Sequence, residues 1–284
     1  MKKHIFRKAL FVNFIILTLI MLCCCTKPSD GGAAQIKATG EFSVTALNIG
    51  KADSLILKTQ NHTVLIDCGE KGDVSDIISA LSESGITEID RLIITHFDKD
   101  HVGGAAKLIK KISVNQIITP NYRSDSAEYK DFIAAAEENN LTPITLTENL
   151  SFVYDDVTFE VYPPEKSFYA EGDNDYSLAV RAVHGQNSFL FAGDAEETRL
   201  AEFKNQFSLT HTFLKVPHHG RYNSYTDRFI KSVAPEYAVI TCSAKNPPDD
   251  DTLSALKSVG CQTFLTQNGT AKFISNGENI YATQ

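Results

Sequence analysis

The sequence predicts a single α/β domain in which antiparallel pairing of strands is common. The chain has 284 residues, 43% of them hydrophobic, which is enough material for one large core. Apolar residues at every second position alternate along the chain with apolar residues at helical spacing. No repeat of fixed period and no second linker divides this pattern, so one domain of mixed strands and helices fits best.

The strands and helices of the first half follow from these two periods. Phe42, Val44 and Ala46 alternate with polar residues, and residues 60–62 form a turn between two further strands. An apolar stripe that begins at Val74 has helical spacing. The predicted elements are, in chain order, strands 42–46, 53–58 and 63–67, helix 74–81, strand 91–95, helix 102–110, strand 115–119, helix 126–138, and strands 143–146 and 150–161.

The second half begins with a predicted hairpin. Segments 177–183 and 188–193 have strand-like composition and flank a turn that contains Gly185. After this hairpin, the same periods predict helix 195–206, strands 212–216 and 236–241, helix 249–258 and two short terminal strands.

The first 25 residues do not belong to the predicted domain. A cationic start precedes an apolar run at 9–22 that ends in three cysteines, and this run is short for a helix that stays in the bilayer. The segment resembles a bacterial lipoprotein signal, which implies export and acylation of Cys25, or alternatively of Cys24. An uncleaved membrane anchor is the other alternative. Residues 26–40 are small and polar and predict a flexible tether, so the domain at 41–284 is expected outside the cytoplasm on a membrane.

Net charge and cysteine spacing exclude several classes of protein. The formal charge of −8 leaves no global positive field for nucleic acid or anionic lipid, so a polyanion would have to be bound locally. Cys68, Cys242 and Cys261 are widely spaced and odd in number, which fits neither a disulfide framework nor a thiolate zinc site. We expect buried free thiols at these positions.

Potential metal ligands are concentrated after the predicted strand 91–95. His96, Asp98, Asp100 and His101 lie within six residues on a loop that leads into a helix. Such a loop can direct His96 and Asp98 at one ion while Asp100 and His101 turn toward a second. The alternative is a solvated polar loop, which does not explain why two histidines and two aspartates share this spacing.

This loop resembles the H-x-H-x-D-H signature of the metallo-β-lactamase superfamily, and within that superfamily the hydrolase domain of the competence protein ComEC. Five further motifs carry the resemblance in the same order along the chain: 48–54 (NIGKADS), 65–69 (LIDCG), 174–178 (NDYSL), 191–194 (FAGD) and 215–220 (KVPHHG). The resemblance implies a four-layer αββα sandwich, an α+β variant of the α/β class, with metals at one edge between the two sheets.

The resemblance also implies one or two divalent metal ions, Zn²⁺ or Mn²⁺, with Fe²⁺ as an alternative. The implied metal ligands are His96, Asp98, Asp100, His101, Asp194 and His219. Asp98 stands where the superfamily signature has its second histidine, so a hard carboxylate replaces an imidazole and shifts the preference toward Mn²⁺ or Fe²⁺. Asp194 is the natural bridge between two ions.

Hairpin geometry sorts the remaining histidines by the end of the sheet that they occupy. Asp194 follows the second strand of the predicted hairpin, so His184 lies at the opposite end and is predicted to be a turn residue, not a ligand. His62 lies on a distal turn for the same reason. His211 precedes a strand at the wrong end and is predicted to lie at the surface.

The pair His218 and His219 follows the predicted strand 212–216 and reaches the site edge. One of them binds metal while the other contacts substrate or donates a proton; the sequence does not distinguish them, and we take His219 as the ligand. The motifs further imply catalytic roles for Asp100, His218 and Lys215, substrate contacts from Asn174, Ser177 and Arg221, and a hydrogen bond from a ligand histidine to Asp67. Alternatives are a solvated Lys215 at a strand end and an Asp67 that only caps a turn.

The predicted activity is metal-assisted hydrolysis outside the cytoplasm. Metal-bound water whose pKa is lowered toward about 7 delivers hydroxide to phosphorus or to a carbonyl carbon. The resemblance to ComEC implies a phosphodiesterase or nuclease, and the acidic chain favours a small molecule or a short nucleic-acid strand as substrate. The alternatives are hydrolysis of an ester, thioester or lactam, or a metal-binding module without turnover.

Overall fold

The computed structural model describes residues 40–170 and 172–284, which belong to one compact unit. The predicted signal at 1–25 with Cys25, and the predicted tether up to residue 39, lie outside the described residues. Among the residues that are described, no helix is both long and apolar enough to cross a membrane.

The strands of the described residues form two mixed sheets. The first sheet has the order β15-β14-β1-β2-β3-β4-β5-β6, and the second has the order β13-β12-β11-β10-β9-β8-β7. The strands are β1 (Phe42–Ala46), β2 (Leu55–Lys58), β3 (Thr63–Ile66), β4 (Glu88–Ile93), β5 (Ser113–Pro120), β6 (Ile144–Leu146), β7 (Leu150–Tyr154), β8 (Val157–Tyr162), β9 (Ala179–His184), β10 (Asn187–Phe191), β11 (Phe213–Lys215), β12 (Tyr237–Ile240), β13 (Gln262–Leu265), β14 (Ala271–Ser275) and β15 (Ile280–Thr283).

Helices cover the outer face of each sheet. They are α1 (Val74–Glu83), α2 (Lys99–Val102), α3 (Ala105–Ile109), α4 (Ala127–Glu138), α5 (Glu197–Gln206), α6 (Thr226–Val233) and α7 (Asp250–Ser258). One apolar cluster lies between the two sheets, a second packs α1, α3 and α4 on the first sheet, and a third packs α5, α6 and α7 on the second. These layers confirm the predicted four-layer αββα sandwich.

Parallel strands bring the predicted motifs to one edge of the sandwich. β3 pairs in parallel with β4 in the first sheet, and β10 pairs in parallel with β11 in the second. Loops that follow parallel neighbours leave a sheet at the same edge, where open α/β folds bind their ligands. The loops after these four strands carry Asp67, the 96–101 segment, Asp194 and His219.

Four parts of the fold differ from the sequence prediction. Three strands, β13, β14 and β15, follow α7, where the sequence predicts two. The predicted strand 150–161 is the hairpin of β7 and β8, because Asp155 turns the chain with a φ of 52° in the left-handed region that Asp tolerates. The predicted helix 102–110 is the two short helices α2 and α3. Helix α6 was not predicted, since its eight residues contain only the short apolar set Phe229, Ile230 and Val233.

The surface position predicted for His211 is wrong. This side chain is 1% exposed because its loop folds back on α6, where the His211 N–H donates to the Val233 carbonyl. Its Nδ1 donates to the Leu209 carbonyl (2.9 Å) and its Nε2 accepts from Arg181 Nε (2.9 Å), so the ring is neutral. Burial lowers the pKa of His211 to about 4.

The cysteines of the domain are free thiols, as predicted. Cys68 and Cys242 are buried, but Cys261 is partly exposed because it precedes the outermost strand of the second sheet, β13.

Candidate metal centre

Three buried histidines converge at the edge between the sheets. The Nε2 atoms of His96, His101 and His219 are buried, and none has a hydrogen-bond partner among the described residues. His96 and His101 have ring centroids 4.0 Å apart, and those of His101 and His219 are 5.5 Å apart. A buried polar atom without a partner carries a free-energy cost, so three such atoms aimed at one place indicate a missing common partner.

Carboxylates complete the ring of donor atoms. Asp194 Oδ2 lies 3.1 Å from His219 Nε2 and 3.3 Å from His101 Nε2. Asp100 Oδ2 lies 3.4 Å from His219 Nε2. Asp98 Oδ2 lies 3.7 Å from His96 Nε2, on a side chain that is 45% exposed. The six predicted metal ligands are therefore in one place, with Asp194 between the histidines.

Hydrogen bonds at Nδ1 set the orientation of His101 and His96. His101 Nδ1 donates to Asp67 Oδ2 at 2.8 Å. Thr95 Oγ1 donates to the same carboxylate at 2.7 Å, so this hydroxyl accepts from His96 Nδ1 at 3.1 Å. The Thr95 N–H donates to Asp67 Oδ1 at 2.8 Å. Both rings therefore use Nδ1 for hydrogen bonding and leave Nε2 to face the centre, the arrangement that metal-binding histidines use.

His219 is fixed in the same way by a residue of the second sheet. Its Nδ1 lies 3.1 Å from the Thr241 carbonyl, which can only accept, and 3.0 Å from Thr241 Oγ1. The Nδ1 atom therefore carries a proton, which leaves Nε2 as the atom that faces the centre. The sequence alone does not identify Thr95 or Thr241 as partners of the histidines. A threonine next to a strand end is common and carries no signal of such a role.

The donor set fits a divalent ion. Ligands about 2.0–2.2 Å from a tetrahedral ion lie roughly 3.3–3.6 Å from one another, close to the distances among His101, His219, Asp100 and Asp194. His96, His101 and Asp194 form one compact group of donors, and Asp100, His101 and His219 form another. Aspartate and imidazole ligands suit Zn²⁺, Mn²⁺ and Fe²⁺.

Electrostatics at the centre favour positive charge. Burial lowers the pKa of His101, but the carboxylates of Asp194, Asp67 and Asp53 outweigh burial and raise it well above its usual value. Burial raises the pKa of Asp194, yet His219, His101 and a buried lysine hold it well below its usual value. Asp194 is thus ionised and stabilises a cation placed beside it.

Lys215 forms a buried ion pair with Asp53. Lys215 Nζ lies 2.5 Å from Asp53 Oδ2 and 3.5 Å from Asp194 Oδ1, and it donates to the Gly193 carbonyl at 3.2 Å. Thr241 Oγ1 donates to the other oxygen of Asp53 at 2.5 Å. The alternative of a solvated Lys215 is wrong, since the side chain is 1% exposed. A direct contact between Lys215 and substrate phosphate is also inconsistent with this burial.

Left-handed backbone conformations accompany the ligand loops. Asp67, His218 and His219 have φ values of 60°, 48° and 52°. Non-glycine residues adopt this region at a cost, and such residues concentrate at functional sites. Gly193, with a φ of 55°, precedes Asp194 where a β-carbon would lie 2.8 Å from Ser177 Oγ, so only glycine fits there.

The structure separates His218 from His219. His219 points into the centre, whereas His218 is partly exposed and its Nδ1 lies 3.1 Å from Glu196 Oε1. Of the two histidines considered for one ligand position, only His219 therefore faces the other donor atoms.

The predicted substrate contacts are placed differently from expectation. Ser177 is fully buried and its Oγ accepts from the Asp194 N–H, so it supports a ligand loop and faces no substrate. Arg221 pairs with Asp249 through Nη1 and Oδ1 at 2.9 Å. Asn174 Nδ2 donates to Glu196 at 2.8 Å, next to His218.

The histidines assigned to the distal end lie outside the centre. His184 ends β9, where it pairs with Asn187 across the predicted turn, but it is a buried residue whose Nδ1 lies 2.8 Å from Ser275 Oγ. His62 stacks on Tyr154 with ring centroids 4.2 Å apart. Neither contributes to the groups of donors at the metal centre.

A cavity of about 820 Å³ opens beside the metal loop. Asp98 and Asp100 line it on the side of the centre, together with Lys51 and Lys99. Further lining residues are Ile49, Gly50, Ala52, Glu70, Asp73, Phe97, Ser124, Ser126, Glu128, Asp173 and Asn246. The volume is sufficient for a small-molecule substrate next to the ligand carboxylates.

A model of the metallo-beta-lactamase superfamily matches residues 48–244, a span that contains every residue of this centre. The chain belongs to the metallo-beta-lactamase superfamily. It is accordingly a metal-dependent hydrolase. The superfamily typically binds divalent metal ions, and the His and Asp groups of this centre could hold such an ion.

Two curated relatives confirm the predicted resemblance to competence proteins. ComE operon protein 3 of Bacillus subtilis is 28% identical over 258 residues, 83% of this chain and 33% of that protein. Competence protein ComA of Neisseria gonorrhoeae is 28% identical over 211 residues, 72% of this chain and 28% of that protein. The chain thus spans about a third or less of the length of these relatives.

A solved structure shows the same fold. The metallo-beta-lactamase fold protein YhfI of Bacillus subtilis superposes with a TM-score of 0.55 at 11% sequence identity, covering 86% of this chain and 100% of that one.

Proposed function

We propose that the chain is an extracytoplasmic metal-dependent phosphodiesterase that cleaves a small phosphodiester or a short nucleic-acid strand. One observation carries the proposal: the Nε2 atoms of His96, His101 and His219 are buried without partners among the described residues and lie close to Asp194. Asp98 and Asp100, in the same centre, line a cavity beside it. The similarity to competence proteins favours phosphodiesters over other esters.

Two sets of side chains in this centre would bind metal ions. His96, Asp98 and Asp194 would hold one ion, and Asp100, His101 and His219 would hold a second with Asp194 between them. A divalent ion bound there supplies Lewis acidity and a hydroxide nucleophile near neutral pH. Asp67, Thr95 and Thr241 hold the imidazoles in the orientation that this binding requires.

His218 is the candidate for proton transfer to the leaving group. Its side chain is 24% exposed and lies outside the ring of donors. Glu196 accepts from Nδ1 at 3.1 Å, which orients the ring and leaves Nε2 free to donate when the ring is protonated. Asp100 would serve the same reaction by holding a metal ion together with His101 and His219.

The location and the metal belong to the proposal as well. A lipidated Cys25 and the 26–40 tether would hold the domain on the extracytoplasmic side of a membrane. Asp98 adds a hard oxygen ligand, so we expect Mn²⁺ or Fe²⁺ to support activity at least as well as Zn²⁺.

The test is turnover by the purified protein after chelator treatment and reloading with Mn²⁺ or Zn²⁺. Substrates are bis(p-nitrophenyl) phosphate, single-stranded DNA and duplex DNA, alongside a chromogenic ester, thioester and lactam. His96→Ala and Asp98→Ala are compared with His62→Ala, which removes a histidine at the distal end.

Phosphodiester cleavage that requires metal, fails in His96→Ala and survives in His62→Ala supports the proposal. Turnover of the ester, thioester or lactam alone would replace the phosphodiester with that substrate. A fully metallated protein that turns over none of them is a binding module, and the proposal is then wrong.

A further inference from the structure

None of the residues assigned so far provides a positively charged side chain for the substrate. Lys215 is buried in an ion pair with Asp53 and cannot reach a substrate. Arg221 pairs with Asp249 and does not line the cavity. A phosphodiester carries a negative charge, and proteins bind such groups with Lys or Arg through charge-assisted hydrogen bonds. The cation for the substrate must therefore come from the lining of the cavity.

Lys51 and Lys99 carry the positive charges among the described residues that line the cavity. Lys99 Nζ points toward Glu70 Oε1 at 3.4 Å, and its side chain is 67% exposed. Lys51 Nζ lies 3.0 Å from Asp100 Oδ2, and its side chain is only 33% exposed. Lys51 is thus directed at the metal centre, and Lys99 away from it.

The backbone holds Lys51 in this place. Its loop begins at Gly50, whose φ of 83° turns the chain out of the extension of β1. The loop is fastened to the metal loop two residues later, where the Asp53 N–H donates to the Asp100 carbonyl at 3.0 Å. The Lys51 side chain therefore starts from a backbone that is tied to the ligand-bearing segment.

We propose that Lys51 binds the phosphate oxygens of the substrate in this cavity. The proposal rests on the phosphodiesterase function proposed above. Asp100, His101 and His219 form one compact group of donors that would hold a metal ion. The Lys51 ammonium, 3.0 Å from Asp100 Oδ2, lies beside this group and could meet a phosphate oxyanion of a substrate bound there. Lysine supplies up to three donors to such an oxyanion without a fixed geometry.

The experiment compares Lys51→Met with Lys51→Arg and with the matched control Lys99→Met, each as the metal-loaded protein with its metal content measured. Three readouts are taken: KM and kcat for bis(p-nitrophenyl) phosphate, kcat/KM for the neutral ester p-nitrophenyl acetate, and the affinity for inorganic phosphate by calorimetry. The calorimetry requires no turnover.

Lys51→Met is expected to raise KM for the phosphodiester and Kd for inorganic phosphate by about tenfold or more, the effect of one charge-assisted hydrogen bond. Turnover of any neutral ester and the metal content should remain within about twofold, and Lys51→Arg should recover most of the phosphate affinity. If the role of Lys51 were purely structural, Lys51→Met would lower kcat/KM for the phosphodiester and for the neutral ester by the same factor. Lys99→Met should match the wild type.

Unchanged phosphate affinity in Lys51→Met, or an equal loss in Lys99→Met, would overturn the assignment of Lys51. A wild type that cleaves p-nitrophenyl acetate but no phosphodiester overturns the proposed function instead. The calorimetry then still decides whether Lys51 binds an oxyanion.

Discussion

Lys215 Nζ lies 2.5 Å from Asp53 Oδ2, and both side chains are 1% exposed. Burial lowers the pKa of Lys215, but Asp53 and Asp194 outweigh burial and raise it. The pair is charged, and its ammonium also lies 3.5 Å from Asp194 Oδ1, where it stabilises the negative charge of that carboxylate.

Removing one partner of this pair should strongly destabilise the fold. Lys215→Met leaves Asp53 buried beside Asp194, and breaking a buried pair costs about 3–5 kcal/mol. The double variant Asp53→Asn with Lys215→Met should recover most of that loss, because neither charge is then left alone. Urea unfolding of the single and double variants measures both. A Lys215→Met protein within about 1 kcal/mol of the wild type would refute a charged, buried pair.

Thr95→Val should weaken metal binding with little effect on the fold. The substitution keeps the shape of the side chain but removes the hydroxyl between Asp67 and His96. Loss of a hydrogen bond behind a ligand histidine typically lowers metal affinity about 10–100-fold. Competition with a chromophoric chelator measures the affinity. Thr252→Val is the matched control, since Thr252 is buried and its Oγ1 has no partner among the described residues; equal affinities in both variants would contradict the prediction.

Stability should fall as pH decreases because of His211. The folded ring has a pKa of about 4, caused by burial, against about 6.5 in the unfolded chain. Between these values the unfolded state binds more protons, so the contribution of His211 is complete above pH 6.5 and is lost as the pH falls toward 4. Its size is at most about 3 kcal/mol. In His211→Gln, the difference in unfolding free energy between pH 7 and pH 4.5 should shrink; an unchanged difference would show that His211 is not responsible.

Long nucleic-acid strands should gain little affinity over short ones. Beyond Lys51 and Lys99, the charged lining of the cavity includes the carboxylates of Glu70, Asp73, Glu128 and Asp173. Flanking phosphates would meet negative charge and release few counterions. We expect KM for a dinucleotide and for a strand of about 20 nucleotides to agree within about threefold, with a log–log salt slope shallower than about −2. A slope of about −4 or steeper would reveal a basic binding track that the cavity does not contain.

Much of the site could be predicted because its ligands follow strand ends in the sequence. His96, His101 and Asp194 are neighbours of buried strands, and parallel pairing brings such positions to one edge. The four αββα layers were predicted from the resemblance of the motifs to a known family, because hydrophobic periodicity alone does not specify how the layers are arranged.

The supporting contacts could not be predicted, since they join distant parts of the chain. Thr241 and Asp53 are 188 positions apart, and no local pattern marks Thr241 as a partner of His219. The motif that contains the histidine pair implies a catalytic role for Lys215 but does not reveal the partner of this side chain. Its burial against Asp53 depends on how the two sheets meet, which became visible only in three dimensions.

Metal binding by the stripped protein tests the central claim most directly. After chelation, titration with Mn²⁺ or Zn²⁺ under calorimetry should show one or two ions bound per chain and a rise in thermal stability, because the ions bind the folded state. His101→Ala should abolish or greatly weaken binding, since His101 belongs to both groups of donors described above, whereas His184→Ala should retain the stoichiometry. A chain that binds no ion, or that binds equally well in His101→Ala, would contradict the assignment of this centre.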